Sequence, residues 1–288
     1  MSPAEQRLVS FAGSTVAVQY RGERPRTIVD FLYRHAPGPS GGPPQVTFRL
    51  TADRRSDQLF LYRDGELFYR NTSDGAVAEI LLGDSCHHLA KESRGGLLFH
   101  AAALAWEGHG VLLPGGMGAG KTTLAAWLTA RGLHYLTDEL AFLPHGADRM
   151  QAFTRPLNLK HPSIQALERH IDFAGMAESI LCNAHSCLVP HRLIGSGDAP
   201  AQVPLSLILF PQYAADIEPA LHSLSRGQTG LSLMGCLVNA RNLSGHGFQE
   251  IVGLARLAPA FRLCYSSFEQ IEAQLEELLQ PIRSHAPS

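Results

Sequence analysis

Residues 115–122 read Gly-Gly-Met-Gly-Ala-Gly-Lys-Thr and satisfy every fixed position of G-x-x-x-x-G-K-[ST]. Glycines in such a run let backbone N–H groups turn inward and approach phosphate oxygens with no Cβ in the way. A helix beginning at Lys121 adds the positive end of its dipole. Lys121 is spaced to reach β- and γ-phosphates, and the Thr122 hydroxyl to ligate Mg²⁺. The expected triphosphate-binding set is therefore Gly115, Gly116, Met117, Gly118, Ala119, Gly120, Lys121, Thr122 and Thr123, with ATP and Mg²⁺ as cofactors. A glycine-rich turn without a ligand is the bland alternative. Against it stands the placement of the run between an apolar strand and an amphipathic helix, where the mechanism requires it.

An acidic pair, Asp138-Glu139, follows one short helix and one short strand later. If that strand lay beside residues 110–113, only about 4.8 Å would separate the two. Asp138 would then emerge at the edge that carries the glycine loop. Phosphoryl transfer needs a carboxylate for the metal and often another to take the hydroxyl proton. The metal ligands expected are Thr122 and Asp138, and either Asp138 or Glu139 is the base; a solvated acidic turn is the alternative. His100 interrupts an apolar run that should pair with the loop's strand. A lone histidine in such a strand is commonly a hydrogen-bonded core residue, but one facing the same edge could orient the acids. The expected catalytic set is thus Asp138, Glu139, His100 and Lys121. Arg155 and Lys160 are candidates for clamping the transferred phosphoryl group or an acidic substrate, or are ordinary loop cations. Arg192 and Arg241 are weaker candidates of the same kind.

The elements that must position these groups are legible from periodicity. Residues 14–20 alternate like a half-buried strand, and 26–35 carry apolar residues at helical spacing. The stretch 36–44 is too rich in Pro and Gly for a regular element. Residues 45–51 alternate again, and 58–69 form a hairpin about Asp64-Gly65. Asp74 is the expected cap of a helix running to residue 91. After Gly96 the character changes: 97–106 and 110–113 are dense apolar runs, as in strands covered on both faces. A helix over 121–131 ends at Gly132, and 134–137 and 140–143 return as strands, a βαβ-type unit with its turn chemistry at the carboxyl ends. Further on, 155–160 is extended, 161–169 helical, 204–210 a buried strand, 230–257 broadly helical, 261–265 a strand and 268–279 a closing helix. Two domains are expected: an α+β module over 1–95 and a domain carrying the loop over 96–288.

Composition narrows the function. The 288 residues include 24 Lys+Arg against 26 Asp+Glu, a formal net charge of −2, with 45% apolar and 17% charged residues. Such a chain can bury a sizeable core and lacks the electrostatic footprint of a nucleic-acid binder. No apolar run approaches the about 18 residues of a membrane span, and the N-terminus shows no basic-then-apolar leader; the expectation is a cytoplasmic protein that binds neither nucleic acid nor membrane. The five cysteines, Cys86, Cys182, Cys187, Cys236 and Cys264, then read as reduced thiols. Cys182, His185, Cys187 and His191 crowd one segment without the second ligand pair that zinc sites use. Cys86-His87-His88 reads as ordinary packing.

His100, the glycine loop and Asp138-Glu139 fall in one ungapped register that resembles the catalytic domain of HPr kinase/phosphorylase, a bacterial enzyme that phosphorylates a serine of the sugar-transport carrier HPr. The resemblance is tight over about residues 97–145. It extends loosely through 155–160 and 205–213 toward HPr-kinase-related kinases, some of which act on serine in peptide precursors. It implies an α/β fold, a P-loop-containing core like that of HPr kinase and phosphoenolpyruvate carboxykinase with a small N-terminal α+β module. It also implies a Mg·ATP-dependent serine kinase acting on a protein or peptide Ser/Thr, with homo-oligomerisation left open. This chain departs from that family in three ways. Its second acid is Glu139 rather than aspartate. The Pro-Gly-Arg-Asn stretch has only a faint echo in Asn239-Ala-Arg241-Asn242, and the N-terminal module differs. HPr as substrate and the reverse phosphorolysis are therefore not carried over. A non-catalytic ATP-sensing module and a carboxykinase-like metabolite enzyme are the competing functions.

Overall fold

The computed structural model describes residues 4–38, 42–53, 55–195, 197 and 200–284; residues 39–41 of the expected 36–44 loop lie outside these. Strands β1 (Glu5–Phe11) and β2 (Ser14–Tyr20) pair antiparallel around Ala12-Gly13, both in the left-handed region at φ 51° and 74°. The alternation of β2 marks it in the sequence; β1, whose Leu8 and Val9 are adjacent, breaks the period and goes unmarked. Helix α1 (Glu23–Tyr33) crosses to β3 (Val46–Asp53), which joins β2 in parallel. Strands β4 (Gln58–Arg63) and β5 (Glu66–Asn71) then complete a sheet of order β1-β2-β3-β4-β5. Asp64 and Gly65 both adopt positive φ, the turn their types predict. Helix α2 (Asp74–Lys91) is capped by Ser73 rather than by the expected Asp74. The Ser73 hydroxyl accepts from the Ala76 N–H at 3.2 Å, leaving Asp74 as an acid in the first turn, where the helix dipole favours it.

The next stretch begins the second sheet: β6 (Gly96–Trp106), β7 (His109–Pro114), helix α3 (Lys121–Ala130), β8 (His134–Thr137), β9 (Leu140–Pro144) and β10 (Arg149–Gln151). The chain then leaves this sheet. Strands β11 (Leu157–Lys160), β12 (Leu181–Cys182) and β13 (Ser186–Val189), with helices α4 (His161–Leu167) and α5 (His191–Ile194), follow. The three strands form a separate small sheet of order β11-β13-β12. The second sheet resumes with β14 (Gln202–Tyr213) and β15 (Ala220–Ser223). After them come α6 (Arg226–Cys236), two short 3₁₀ turns, α7 (Phe248–Leu257), β16 (Ala260–Tyr265) and α8 (Phe268–Ser284). The expected helical region 230–257 is thus two helices broken at residues 237–247, where Gly245 and Gly247 take positive φ.

The result is a mixed α/β chain with several sheets that divides into two compact units, residues 1–94 with 153–193 and residues 95–152 with 194–288. This corrects the expectation of an unbroken domain over 96–288. The reason is local to the first unit: Leu157 and Leu159 are fully buried there, and Glu79 on α2 ties the small sheet down. The Glu79 carboxylate accepts hydrogen bonds from Asn158 at 2.7 Å, Asn183 at 2.6 Å and Ser186 at 3.1 Å. The structure also corrects the reduced-thiol reading for one pair. Cys182 and Cys187 stand directly opposite across β12–β13 with Cα atoms 4.0 Å apart and form a disulfide; Cys86, Cys236 and Cys264 are not disulfide-bonded. Antiparallel register brings the two thiols together, a proximity that a spacing of five residues does not reveal. Among the described residues no helix is long and apolar enough to cross a membrane.

In the second unit the sheet order is β10-β9-β6-β7-β14-β16-β15, with β8 also paired to β6. Strands β7, β14 and β16 run parallel to one another. Both β7 and β8 run antiparallel to β6, so β8 shares their direction. The carboxyl ends of β7, β8, β14 and β16 therefore leave at one edge, where α/β sheets place ligands. Helix α3 packs over β6 and β7 and is held from behind by Trp127, fully buried and stacked on Phe268 of α8 at 5.4 Å.

Candidate functional site

The glycine-rich loop joins the end of β7 to the first residue of α3. Gly118 and Gly120 adopt φ 82° and 89°, a conformation that side-chain-bearing residues rarely take. At Gly120 the space is closed as well: an added Cβ would lie 2.7 Å from the Tyr265 hydroxyl and 3.3 Å from Tyr213 Cβ. At Gly116 an added Cβ meets nothing within 4 Å. Gly120→Ala is therefore expected to lower stability by about 1–3 kcal/mol. Gly116→Ala should preserve the fold. Thermal melts of the two variants separate these outcomes, and equal behaviour would contradict the strained geometry at Gly120.

Lys121 is buried, and its ammonium donates to the carbonyls of Gly115 at 2.8 Å and Gly116 at 2.9 Å. Burial holds its pKa below the ordinary lysine range, while the charges of Asp138 and Glu139 pull in the opposite direction. Both acids thus act electrostatically on the loop lysine. The Thr122 hydroxyl, one residue into α3, donates to Asp138 Oδ1 at 3.1 Å. Asp138 is only 2% exposed.

The strand arrangement that achieves this differs from the expected one. Strand β8 does not lie beside β7; β6 lies between them. Asp138 still reaches the loop because β7 and β8 point the same way, and the first turn of α3 covers the extra strand width. Thr137 and Leu112 both sit opposite Ala103, so the acidic pair leaves its strand level with the end of β7. Glu139 sits at φ 97°, an unusual conformation for a non-glycine residue. Its own carbonyl accepts from the Ala101 N–H at 3.2 Å. That bend separates β8 from β9 and turns the carboxylate out of the sheet. Such local strain, costing about 1–3 kcal/mol, is concentrated at functional sites in proteins generally.

His100 lies on β6 opposite Leu140 and points to the same edge, with Nε2 3.4 Å from Glu139 Oε1. The side chain of Glu139 is 48% exposed, in contrast to the enclosed Asp138. Glycine loop, Lys121, Thr122, Asp138, Glu139 and His100 are therefore brought together within one unit. A buried carboxylate and a hydroxyl are hard oxygen donors of the kind Mg²⁺ selects. The loop with its open face at Gly116 and Gly118 suits phosphate oxygens.

Arg155 and Lys160 are not part of that unit. Arg155 is 6% exposed within the first unit, where its charge acts on Tyr33, and exposed Lys160 ends β11 there. Other neighbours escaped the sequence reading. The Cys236 thiol, at the end of α6, is close enough to Lys121 for each to act on the other; burial pushes the thiol up and the ammonium opposes it. Asn239 is fully buried and completes the edge of β6, accepting from the Leu98 N–H at 3.0 Å and donating to the Gly96 carbonyl at 3.0 Å. Tyr213 and Tyr265 border Gly120. No spacing rule could have found them, since each is a strand-terminal residue whose neighbour is set by sheet order.

No family model and no curated protein matches the chain. Among solved structures it is similar to the Hpr(Ser) kinase/phosphatase from Coxiella burnetii, at 13% identity and a TM-score of 0.33, over 65% of this chain and 96% of that one. The likeness is distant, and the chemistry of the site rests on its own residues.

Proposed function

We propose that the chain is a Mg·ATP-dependent phosphotransferase that moves the γ-phosphoryl group to a Ser/Thr hydroxyl of a protein or peptide. The observation that carries this reading is the Thr122–Asp138 contact at 3.1 Å, which sets a loop of the G-x-x-x-x-G-K-[ST] type against an acidic pair. The register of His100, loop and acids, which resembles HPr-kinase-related kinases, supports it as well. Bound Mg²⁺ would neutralise charge developing on the β- and γ-phosphate oxygens.

In this reading Thr122 and Asp138 hold the metal. Lys121 exchanges its two carbonyl partners for phosphate oxygens, at little cost because the ammonium is already desolvated and aimed into the loop. The acids divide the remaining work by environment. Asp138 is enclosed and tied to Thr122, whereas Glu139 is half exposed and faces His100. Glu139 takes the proton of the acceptor hydroxyl, and His100 positions its carboxylate. Phosphoryl transfer needs little more than such positioning and charge stabilisation.

The test is to incubate the purified chain with Mg·[γ-³²P]ATP and a Ser/Thr peptide library. ADP release and phosphopeptide formation that both require Mg²⁺ are expected. Tight Mg·ATP binding with neither product would assign a nucleotide-sensing module instead.

A further inference from the structure

We infer that Tyr213, backed by Tyr265, is the face on which the nucleobase of the triphosphate stacks. This rests on the phosphotransferase reading and adds the missing half of its nucleotide site. Strand β14 neighbours β7 in parallel and ends at Tyr213; β16 follows and ends at Tyr265, directly paired with it. The Tyr265 hydroxyl and the Tyr213 Cβ both border the last glycine of the loop, as the approach distances at Gly120 show, and the Tyr213 ring lies against that of Tyr265.

The two aromatic rings differ in role. Tyr265 is 2% exposed and fills the space under the loop, whereas Tyr213 is 52% exposed, with ring centroids 5.6 Å apart at 59°. An exposed ring braced by a buried one is a rigid apolar surface with few rotamers left to freeze. Direction decides what it contacts. Asp138, Glu139 and His100 lie on the β6, β8 and β9 side of the loop, so in the phosphotransferase reading the metal and the terminal phosphate belong on that side. Tyr213 lies on the opposite side, beyond β7, so a nucleotide with its γ-phosphate at the acids carries its nucleoside toward β14.

In the turn after β16, Ser266 and Gln270 are engaged with each other: the Ser266 backbone N–H donates to Gln270 Oε1 at 3.1 Å, and Gln270 Nε2 donates to Ser266 Oγ at 3.1 Å. Stacking then carries base recognition in place of edge hydrogen bonds from this turn. Every base has a π-face, so stacking is tolerant of base identity. GTP should therefore compete with ATP at comparable concentration.

The experiment titrates the full chain with Mg·ATP, Mg·GTP and Mg·tripolyphosphate, which has no base. Tyr213→Ala is expected to weaken ATP and GTP by about tenfold and leave tripolyphosphate unchanged, with Tyr213→Phe close to the parent chain. Unchanged ATP affinity in Tyr213→Ala, or an equal loss for tripolyphosphate, overturns the inference. Failure of the parent chain to bind any of the three overturns it together with the phosphotransferase reading. Base-dependent binding through Tyr213 without ADP formation would uphold this inference and overturn that reading alone.

Discussion

Lys121→Ala is expected to lower kcat/KM for phosphoryl transfer from Mg·ATP by about 10³-fold or more. Its ammonium is a buried cation inside the loop that, in the proposed reading, holds the β- and γ-phosphates, in a region where charge is poorly screened. Removing it takes away an interaction that strengthens as charge builds on the transferring group, so kcat should fall along with kcat/KM. The fold should survive. Two hydrogen bonds to Gly115 and Gly116 are lost, but so is the cost of holding a charge away from water. A Tm within about 4 °C of the parent chain is expected. Single-turnover transfer of labelled phosphate, with a thermal melt beside it, provides the check. A folded variant with full activity would remove the loop from the mechanism.

Asp138→Asn tests the other half of the site and has a sign of its own. The amide keeps the shape and can still hydrogen-bond Thr122, so only the charge disappears. Turnover is expected to fall about 10²- to 10³-fold and to resist rescue by excess Mg²⁺. Affinity for ATP measured without metal should stay the same or improve, because a negative charge near the phosphates is gone. Stability should be unchanged or higher, since Asp138 is almost fully enclosed and its ionised form costs solvation. A variant that loses ATP binding and folding together would mark Asp138 as a structural residue. Binding retained with turnover lost marks it as part of the chemistry.

Much of this site was readable along the chain because its chemistry is local. The loop needs only glycines where backbone must approach phosphate, a lysine and a hydroxyl at the following helix start, and an apolar strand before it. All of these fall within a stretch short enough for spacing to determine geometry. Asp64-Gly65 is legible for the same reason: two residues that tolerate positive φ between aromatic-rich strands leave one turn. The cap of α2 was misplaced by one residue because serine and aspartate cap by the same hydrogen bond, and only backbone conformation chooses between Ser73 and Asp74.

Pairing between distant segments was a different matter. Sequence suggested β8 beside β7, but β6 inserts between them, and Asp138 reaches Thr122 only because two antiparallel steps restore the strand direction. Residues 153–193 belong to the first unit although they follow the start of the second in the chain. The partners that hold them there, Glu79 on α2 and its three hydrogen-bond donors, lie 79, 104 and 107 residues apart in the chain. Cys182 and Cys187 met because a register put them opposite each other.

By itself, then, the amino-acid order determined the phosphate-type loop, its flanking strand and helix, and the acidic pair with a histidine upstream, because each depends on neighbours along the chain. Only the tertiary structure decided which acid is enclosed and which is open, which aromatic rings flank the loop, and which segments belong to which unit. Those outcomes depend on strand order and burial, and both arise from contacts between residues that the backbone does not hold together.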